Sequence, residues 1–145
     1  PKLPGHSIVL KDLAGRDFPF SRLKGRLVLL NFWLTSCKPC IEEMPSLLEL
    51  AMRYERRGLV LVLANTDPDL KPVRAFLEKN RALKEPASNV VLLHDPKGKL
   101  ARQVGTRKYP ETWFLSPEGD WQGRVIYKRD WTSRSVTACV FTRLP

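Results

Sequence analysis

A nearly continuous apolar segment that leads into two closely spaced cysteines constrains the fold of this chain more than any other feature. The segment runs from Leu27 to Trp33, and Cys37 and Cys40 follow it with two residues between them. Such a run is typical of a central strand that is buried on both faces of a sheet. A helix that starts at the cysteines would hold both side chains on one side, so the context indicates a redox motif.

The two cysteines have different predicted roles. Cys37 stands at the predicted helix start, where free backbone N–H groups and the positive end of the helix dipole favour the thiolate, so it is the predicted nucleophile in thiol–disulfide exchange. Cys40, one turn further along, is the predicted resolving thiol that closes the disulfide. Pro39 restricts the turn between them, and Lys38 either stabilises the thiolate or is simply solvated. The alternative for the pair is two inert buried thiols.

Two other interpretations of the cysteine pair are weaker. A zinc site needs two more ligands, and the candidates Cys139, His6 and His94 are scattered rather than paired at metal-ligand spacing. A static structural disulfide would close a ring too small to remove much chain entropy. We therefore expect a dithiol that exchanges electrons with its partners, with no metal and no cofactor.

Composition and charge limit the other function classes. The chain has 145 residues, which predicts one domain over residues 1–145 with a loose lead-in at residues 1–5. The formal net charge is +10, and Lys and Arg are spread along the chain rather than gathered in one block. Diffuse basic charge indicates a soluble surface that can meet acidic partners or anionic membranes. No motif suited to base stacking accompanies it, so we expect no nucleic-acid partner.

The remaining hydrophobic patterns alternate between strand and helix. Strands are predicted at residues 8–10, 16–20, 27–33, 59–64, 90–93, 112–115 and 124–127. Helices are predicted at about residues 38–57 with a kink at Pro45, at 69–83, at 100–104, and after Thr132 or Ser133. This order predicts an α/β fold with a central mixed β-sheet flanked by helices. An N-terminal β-hairpin opens the sheet, and a second antiparallel hairpin closes it.

Four segments of the chain resemble the thioredoxin superfamily, and more narrowly its TlpA-like branch of extracytoplasmic thioredoxins, which includes the ResA and DsbE types. They are residues 10–15 with 23–26, residues 31–45, residues 94–98 with 104–106, and residues 109–115. The block 31–45 is the most specific, because the strand, Trp33, C-x-P-C, Glu43 and Pro45 coincide in register. Ser36 departs from the family, where Trp is common, and Lys38 stands where Gly or an acidic residue is frequent. The missing apolar surface beside the sulfur bears on how partners dock.

The resemblance implies a thioredoxin-like fold and roles for further positions. Pro110 is expected to be cis and to face the C-x-P-C loop, which would expose the backbone of Tyr109 as a pairing edge for an extended substrate segment. The Tyr109 side chain either contacts the partner or simply packs. Glu43 shares a helix face with Cys40, and a carboxylate with a raised pKa could accept the proton of that thiol. The TlpA-like branch is similar in having Asn on the preceding strand, here Asn31, and Glu in the helix. The alternative is a surface glutamate.

The resemblance also implies a thiol–disulfide oxidoreductase that reduces protein disulfides outside the cytoplasm, in the periplasm or an equivalent compartment. Its expected partners are a protein disulfide or dithiol, with apocytochrome c as one candidate, and a membrane thiol that donates electrons. No apolar run reaches membrane-spanning length, and numbering starts at Pro1 without Met, which leaves a removed N-terminal anchor open. The direction of electron flow stays open as well, because it depends on the reduction potential.

Two other functions remain as alternatives. A thioredoxin-like peroxidase is expected to carry Thr three residues before its nucleophile, where this chain has Leu34. A non-catalytic chaperone or binding module would keep C-x-P-C only as a vestige, and the intact Cys37, Cys40, Glu43 and Pro110 argue against it.

Other conspicuous side chains are predicted to be structural. Trp33 is a predicted core residue, and Cys139 is predicted to be a small buried hydrophobe of the last helix. His6 and His94 are predicted to be structural or solvated. No chemistry is assigned to the remaining indoles, Trp113, Trp121 and Trp131.

Overall fold

A mixed sheet of seven strands forms the centre of the computed structural model, which describes residues 1–145. In chain order the strands are β1 (Val9–Asp12), β2 (Asp17–Pro19), β3 (Leu27–Trp33), β4 (Leu59–Asn65), β5 (Val90–His94), β6 (Glu111–Leu115) and β7 (Trp121–Ile126). Across the sheet their order is β2-β1-β5-β4-β3-β6-β7. β3, β4 and β5 run parallel, whereas β1 with β2 and β6 with β7 form antiparallel hairpins. The predicted mixed sheet with its N-terminal β-hairpin is confirmed.

Five α-helices accompany the sheet. They are α1 (Lys38–Arg53), α2 (Lys71–Glu78), α3 (Arg81–Lys84), α4 (Lys99–Val104) and α5 (Arg134–Phe141). Short 3-10 turns occupy Gly5–Ser7, Phe20–Leu23, Glu55–Arg57 and Pro96–Gly98. None of these helices combines the length and the apolar character that crossing a membrane requires.

Two predicted helix boundaries are wrong. α1 ends at Arg53 rather than at residue 57, because the chain turns after Tyr54 and adopts a left-handed conformation at Gly58 (φ 84°). The helix predicted over residues 69–83 is divided into α2 and α3 by Asn80, whose backbone is not helical and whose side-chain amide donates to the Phe76 carbonyl at 2.7 Å. Asparagine side chains compete in this way with the helical backbone. α1 continues through Pro45, where the kink stays a prediction.

β3 separates two hydrophobic clusters, which explains why its sequence is apolar without alternation. On one face Leu29 and Trp33 pack in a cluster that includes the buried side chains of α1. On the opposite face Leu30 and Phe32 pack with the buried side chains of α4. Successive side chains of a strand point to opposite faces. Both faces of β3 are therefore covered, and we call them the α1 face and the α4 face.

The first residues of the chain are held to the turn between β6 and β7. The Gly5 amide donates to the Gly119 carbonyl at 3.2 Å, and the Trp121 indole donates to the Leu3 carbonyl at 2.6 Å. A Cβ atom at Gly5 would lie 2.4 Å from the Gly119 oxygen, so this close approach requires glycine. The segment expected to be a loose lead-in thus makes two defined contacts.

Candidate active site

The two cysteines form a disulfide at the junction between β3 and α1. Their sulfur atoms are 2.17 Å apart and their Cα atoms 5.3 Å apart. Cys37 caps α1, and its Sγ accepts a hydrogen bond from the Cys40 amide at 3.2 Å. Pro39 fits the first turn because no partner is available there for a backbone N–H. Cys37 is half-buried and Cys40 is buried, so only the first sulfur faces incoming molecules.

The loop that precedes Cys37 is fixed to the end of β4. The amide and hydroxyl of Thr35 donate to the Asp67 carboxylate at 2.9 and 3.0 Å, and the Asn65 side chain donates to it at 2.8 Å. His94 Nε2 lies 2.7 Å from the Asp67 carbonyl oxygen, which gives this buried histidine a structural role. The role of Asp67 was missed from the sequence. The position of Asp67 just after β4 was the available signal, because the ends of neighbouring parallel strands meet at one edge of a sheet.

Glu43 lies on α1 one turn beyond Cys40 and is buried, with 3% of its surface exposed. One carboxylate oxygen accepts hydrogen bonds from the Trp131 indole at 2.9 Å and from the Arg129 amide at 3.2 Å. The other accepts a hydrogen bond from the Asn31 side chain at 2.9 Å. We call Asn31, Glu43, Arg129 and Trp131 the Glu43 cluster. The alternative of a surface glutamate is excluded by this burial.

Two opposing effects act on the Glu43 carboxyl. Burial raises its pKa above the ordinary value, because the low-dielectric interior disfavours the charged form. The hydrogen bonds from Trp131, Arg129 and Asn31 act in the opposite direction, and that from Trp131 is the strongest of them. The net direction is upward. Glu43 is thus a carboxyl group that takes up a proton more readily than an exposed glutamate does.

The cis-proline segment lies beside the end of β3. The Tyr109–Pro110 peptide bond is cis, as the resemblance implied. β6 begins at the next residue, and its first residue, Glu111, is paired with Phe32 of the neighbouring strand β3. Pro110 therefore lies next to Trp33 and the start of the cysteine loop. The Tyr109 backbone forms no hydrogen bond within the chain. It is therefore a free edge at the same end of the sheet as the disulfide.

The strand that follows this segment carries an ion pair between the buried Glu111 and the exposed Arg124. The Glu111 carboxylate contacts the Arg124 guanidinium at 3.1 Å, and the same guanidinium donates to the Gly105 carbonyl at 3.2 Å. Burial raises the pKa of Glu111, and the charge of Arg124 offsets part of that rise. This ion pair ties β6 and β7 to the loop after α4, and so supports the segment around Pro110.

Lys38 is exposed at the start of α1 and takes part in no salt bridge. The neighbouring Glu42 has a lowered pKa, mainly because of the hydrogen bond from Lys128 and, more weakly, because of the charge of Lys38. The proposed contact of Lys38 with the Cys37 thiolate stays a prediction.

The sequence identified part of this site and missed the rest. The structure brings Cys37, Cys40, Glu43 and Pro110 to one end of the sheet. Trp131 was missed, because it is 88 residues from Glu43 and lies in a loop without a motif. Cys139 lies apart from the site in α5, half-buried, where its Sγ accepts a hydrogen bond from Arg143 at 3.0 Å.

Comparison with known proteins places these features in a family. Residues 3–122 match the model of the AhpC/TSA family. The thiol-disulfide oxidoreductase ResA of Bacillus thuringiensis subsp. konkukian is 31% identical over 113 residues, which are 78% of this chain and 62% of that protein. The chain thus spans about three-fifths of the length of this curated relative.

Solved structures show the same fold. A candidate thiol:disulfide interchange protein DsbE from Chlorobium tepidum superposes with a TM-score of 0.83 at 22% identity, over 98% of this chain and 96% of that one. The pneumococcal exposed lipoprotein thioredoxin Etrx1 from Streptococcus pneumoniae gives a TM-score of 0.71 at 24% identity, over 94% of this chain and 98% of that one. The thioredoxin-like fold expected from the sequence is confirmed, and the chain belongs to the AhpC/TSA family.

Proposed function

We propose that this protein is a thiol–disulfide oxidoreductase that reduces protein disulfides through Cys37 and Cys40. The observation that carries the proposal is the disulfide itself, which caps α1 with one half-buried and one buried sulfur beside the free backbone edge of Tyr109. A nucleophile needs access and a resolving thiol needs protection, and the two cysteines differ in this way.

The reaction begins from the reduced dithiol. The Cys37 thiolate attacks one sulfur of the substrate disulfide, the substrate S–S bond breaks, and one substrate thiolate leaves and takes up a proton. The Cys40 thiolate then attacks Cys37 Sγ in the mixed disulfide, releases the second substrate thiolate, and closes the Cys37–Cys40 bond. Two electrons pass from the protein to the substrate. The Cys40 amide, which contacts Cys37 Sγ at 3.2 Å, stabilises negative charge on that sulfur.

We assign to Glu43 the proton of the Cys40 thiol. The two residues are one helical turn apart and both are buried, so few other bases can reach this thiol. The upward direction of the Glu43 pKa makes the carboxylate a stronger base than an exposed glutamate. We expect Glu43→Gln to slow release of the mixed disulfide by about a hundredfold while the fold is kept. Unchanged exchange rates in this variant would remove Glu43 from the mechanism.

The free edge at Tyr109 is the proposed binding site for the substrate backbone. An extended segment around the substrate cysteine can pair with the Tyr109 N–H and carbonyl in the manner of an added strand. This pairing would place the substrate sulfur beside Cys37, because Pro110 lies next to the end of β3. Pro39 and Lys38 at the start of α1 complete the proposed contact surface.

We further propose that the protein acts outside the cytoplasm, in the maturation of c-type cytochromes. An apocytochrome c disulfide is then the substrate, and a membrane thiol protein re-reduces the Cys37–Cys40 pair. Support comes from the ResA- and DsbE-type relatives and from the exposed lipoprotein thioredoxin of similar fold. A C-x-x-C-H peptide in its disulfide form is the substrate that tests this refinement.

The direct test is a single-turnover reaction with the reduced protein. We expect one equivalent of peptide disulfide to be reduced per Cys37–Cys40 pair oxidised, as measured by thiol trapping and mass spectrometry. Cys37→Ser should abolish the reaction, and Cys40→Ser should accumulate a mixed disulfide on Cys37. A reduction potential of roughly −230 mV or lower supports a reductase, whereas a potential of about −120 mV would make the protein an oxidant.

The same preparations separate the two alternatives. A peroxidase would consume hydrogen peroxide under a steady supply of reductant, and we expect no such turnover with Leu34 before the cysteine loop. A binding module would retain its cellular function in the Cys37→Ser, Cys40→Ser double variant, whereas a reductase would lose it.

A further inference from the structure

A strongly basic cleft lies on the α4 face beside the free edge of Tyr109. It has a volume of about 690 Å³, and Leu34 and Tyr109 line it together with Lys97, Arg102 and Arg107. We call this cleft the basic pocket. Leu34 is one turn before the nucleophile, since its carbonyl accepts the Cys37 amide at 3.2 Å. The basic pocket is therefore lined by a residue of the loop that leads to Cys37 and by the residue of the proposed substrate edge.

The cations of the basic pocket are not paired in salt bridges within the chain, and Arg102 interacts electrostatically with the buried Asp95 carboxylate. Lys97, Arg102 and Arg107 are exposed, and none of them forms a salt bridge. The nearby Asp95 carboxylate is buried and accepts the Leu100 and Ala101 amides at 2.8 and 3.0 Å, so its oxygens are already engaged. Like charges gathered in one cleft attract an anionic ligand.

The local backbone gathers these cations although they are spread over eleven positions of the chain. Lys97 adopts a left-handed conformation (φ 59°), and its carbonyl accepts a hydrogen bond from the Arg102 guanidinium. The Tyr109 hydroxyl lies over Gly98, where a Cβ atom would be 2.8 Å away. Tyr109 thus forms a wall of the basic pocket with its ring while its backbone stays free.

We propose that the basic pocket selects substrates in which acidic residues flank the reacting cysteine. The proposal rests on the proposed function, since it takes the Tyr109 edge as the place where the substrate backbone pairs. Alternate side chains of a paired strand point to opposite faces, so every second side chain of such a segment is directed towards this cleft. A cleft of this volume accommodates one or two Asp or Glu side chains.

The test uses three peptides of equal length whose single cysteine is blocked as a disulfide with methanethiol, flanked by Glu, Gln or Lys. The reduced protein donates two electrons to each peptide and releases the peptide thiol and methanethiol. We expect second-order rate constants in the order Glu, Gln, Lys, with about a tenfold range at low ionic strength. The range should shrink to about twofold in 0.5 M salt, because salt screens exposed charges.

Two matched double variants decide where the preference arises. Arg102→Glu with Arg107→Glu should reverse the order of the three peptides. Lys24→Glu with Arg26→Glu makes the same change in net charge at the opposite end of β3, on exposed residues without salt bridges, and should keep the order. Arg107→Glu alone, which removes no hydrogen bond, serves if the first double variant fails to fold. Equal rates for all peptides, or the same loss in both double variants, would overturn the proposal.

A binding measurement separates this proposal from the proposed function. Peptides with Ser in place of the cysteine are titrated into the oxidised, ¹⁵N-labelled protein, and the amides of Thr66 and Thr106, which line the basic pocket, report binding. Reduction of all peptides at equal rates without these shifts would refute the basic pocket alone. Shifts specific to the Glu peptide without any reduction would refute the reductase and leave the charge preference standing.

Discussion

The Glu43 cluster and the basic pocket are two charged regions at the same end of the sheet, and they are held in opposite ways. On the α1 face a single carboxylate is buried and accepts three hydrogen bonds from the chain. On the α4 face three cations are exposed and no carboxylate of the chain pairs with them. The hydrogen bonds of the first region are satisfied within the chain, whereas the charges of the second region have no partner in a salt bridge.

Because of this difference, we expect the two regions to contribute differently to stability and to substrate selection. The buried Glu43 carboxyl group accepts from three donors, and removing this acceptor leaves those donors without partners. Exposed charges that have no partner contribute little to stability, but they can act on the rate at which a partner of opposite charge arrives. Substitutions in the Glu43 cluster should therefore change both stability and chemistry, and substitutions of the three cations of the basic pocket should act mainly on selection of the substrate.

The largest effect is expected for Glu43→Ala. The substitution leaves the Trp131 indole, the Arg129 amide and the Asn31 side chain without their acceptor, and we expect a loss of about 3 kcal/mol in the free energy of unfolding. Glu43→Gln should lose about 1 kcal/mol or less, since its oxygen can still accept from Trp131 and the Asn31 amide can rotate to match its new donor. Urea denaturation of the oxidised variants measures both. Equal losses would mean that side-chain volume alone matters here.

Trp131→Phe is expected to have an intermediate effect. It keeps most of the ring and removes the strongest of the hydrogen bonds that hold down the pKa of Glu43, so this pKa should rise further. We expect a loss of about 1–2 kcal/mol in stability and an alkaline shift in the pH profile of mixed-disulfide release. Trp121→Phe is the matched control, because it removes an indole hydrogen bond to Leu3 far from Glu43 and should leave the profile unchanged. A shift in both variants would point to a general loss of packing.

The pH dependence of stability isolates the carboxyl group itself. Because burial raises the pKa of Glu43, the folded protein retains a proton that the unfolded chain has already lost above its ordinary value of 4.5. The stabilising contribution of the neutral acid is therefore fully present below that value and is lost as the pH rises through the raised pKa. Each unit of elevation corresponds to about 1.4 kcal/mol.

Subtraction of the Glu43→Gln variant removes the other contributions to this profile. Asp95 and Glu111 also have raised pKa values through burial and give slopes of the same sign in both proteins. We expect the wild-type protein to lose stability relative to Glu43→Gln as the pH increases from about 4 to 8. Urea denaturation at several pH values measures this difference. A difference that is independent of pH would show that Glu43 titrates as an exposed carboxyl does.

The sequence predicts the Glu43 cluster better than the basic pocket for a physical reason. Cys40 and Glu43 are on one helix, which Cys37 caps, and a strand that is apolar on both faces is typical of the centre of a sheet. The central strand and half of the Glu43 cluster therefore follow from local patterns. Trp131 could not be predicted, because only the tertiary fold brings its loop to α1. The helix predicted over residues 69–83 is divided at Asn80 because the side chain of this residue donates a hydrogen bond to the backbone. The hydrophobic periodicity of the sequence gives no sign of such a hydrogen bond.

The sequence did not predict the basic pocket. In the sequence its cations belong to a basic charge that is spread along the whole chain. They converge in the structure because of the left-handed turn at residues 97–98 and the short α4 helix. Since neither feature leaves a hydrophobic pattern, composition indicates only an affinity for acidic partners and not its location.

The smallest effect on stability is expected for the Arg102→Glu, Arg107→Glu double variant. No salt bridge is lost, but the Arg102 hydrogen bond to the Lys97 carbonyl and the attraction of Arg102 to the Asp95 carboxylate are removed, so the free energy of unfolding should fall by no more than about 1 kcal/mol. Thermal and urea denaturation measure this change beside the reversed order of peptide rates. A loss as large as that of Glu43→Ala would show that the basic pocket supports the fold, and the contrast between the two regions would then fail. If stability is unchanged and the order of the peptides is reversed, the two faces of the sheet have separate roles at this end. The α1 face then carries the proton transfer, and the α4 face selects the substrate.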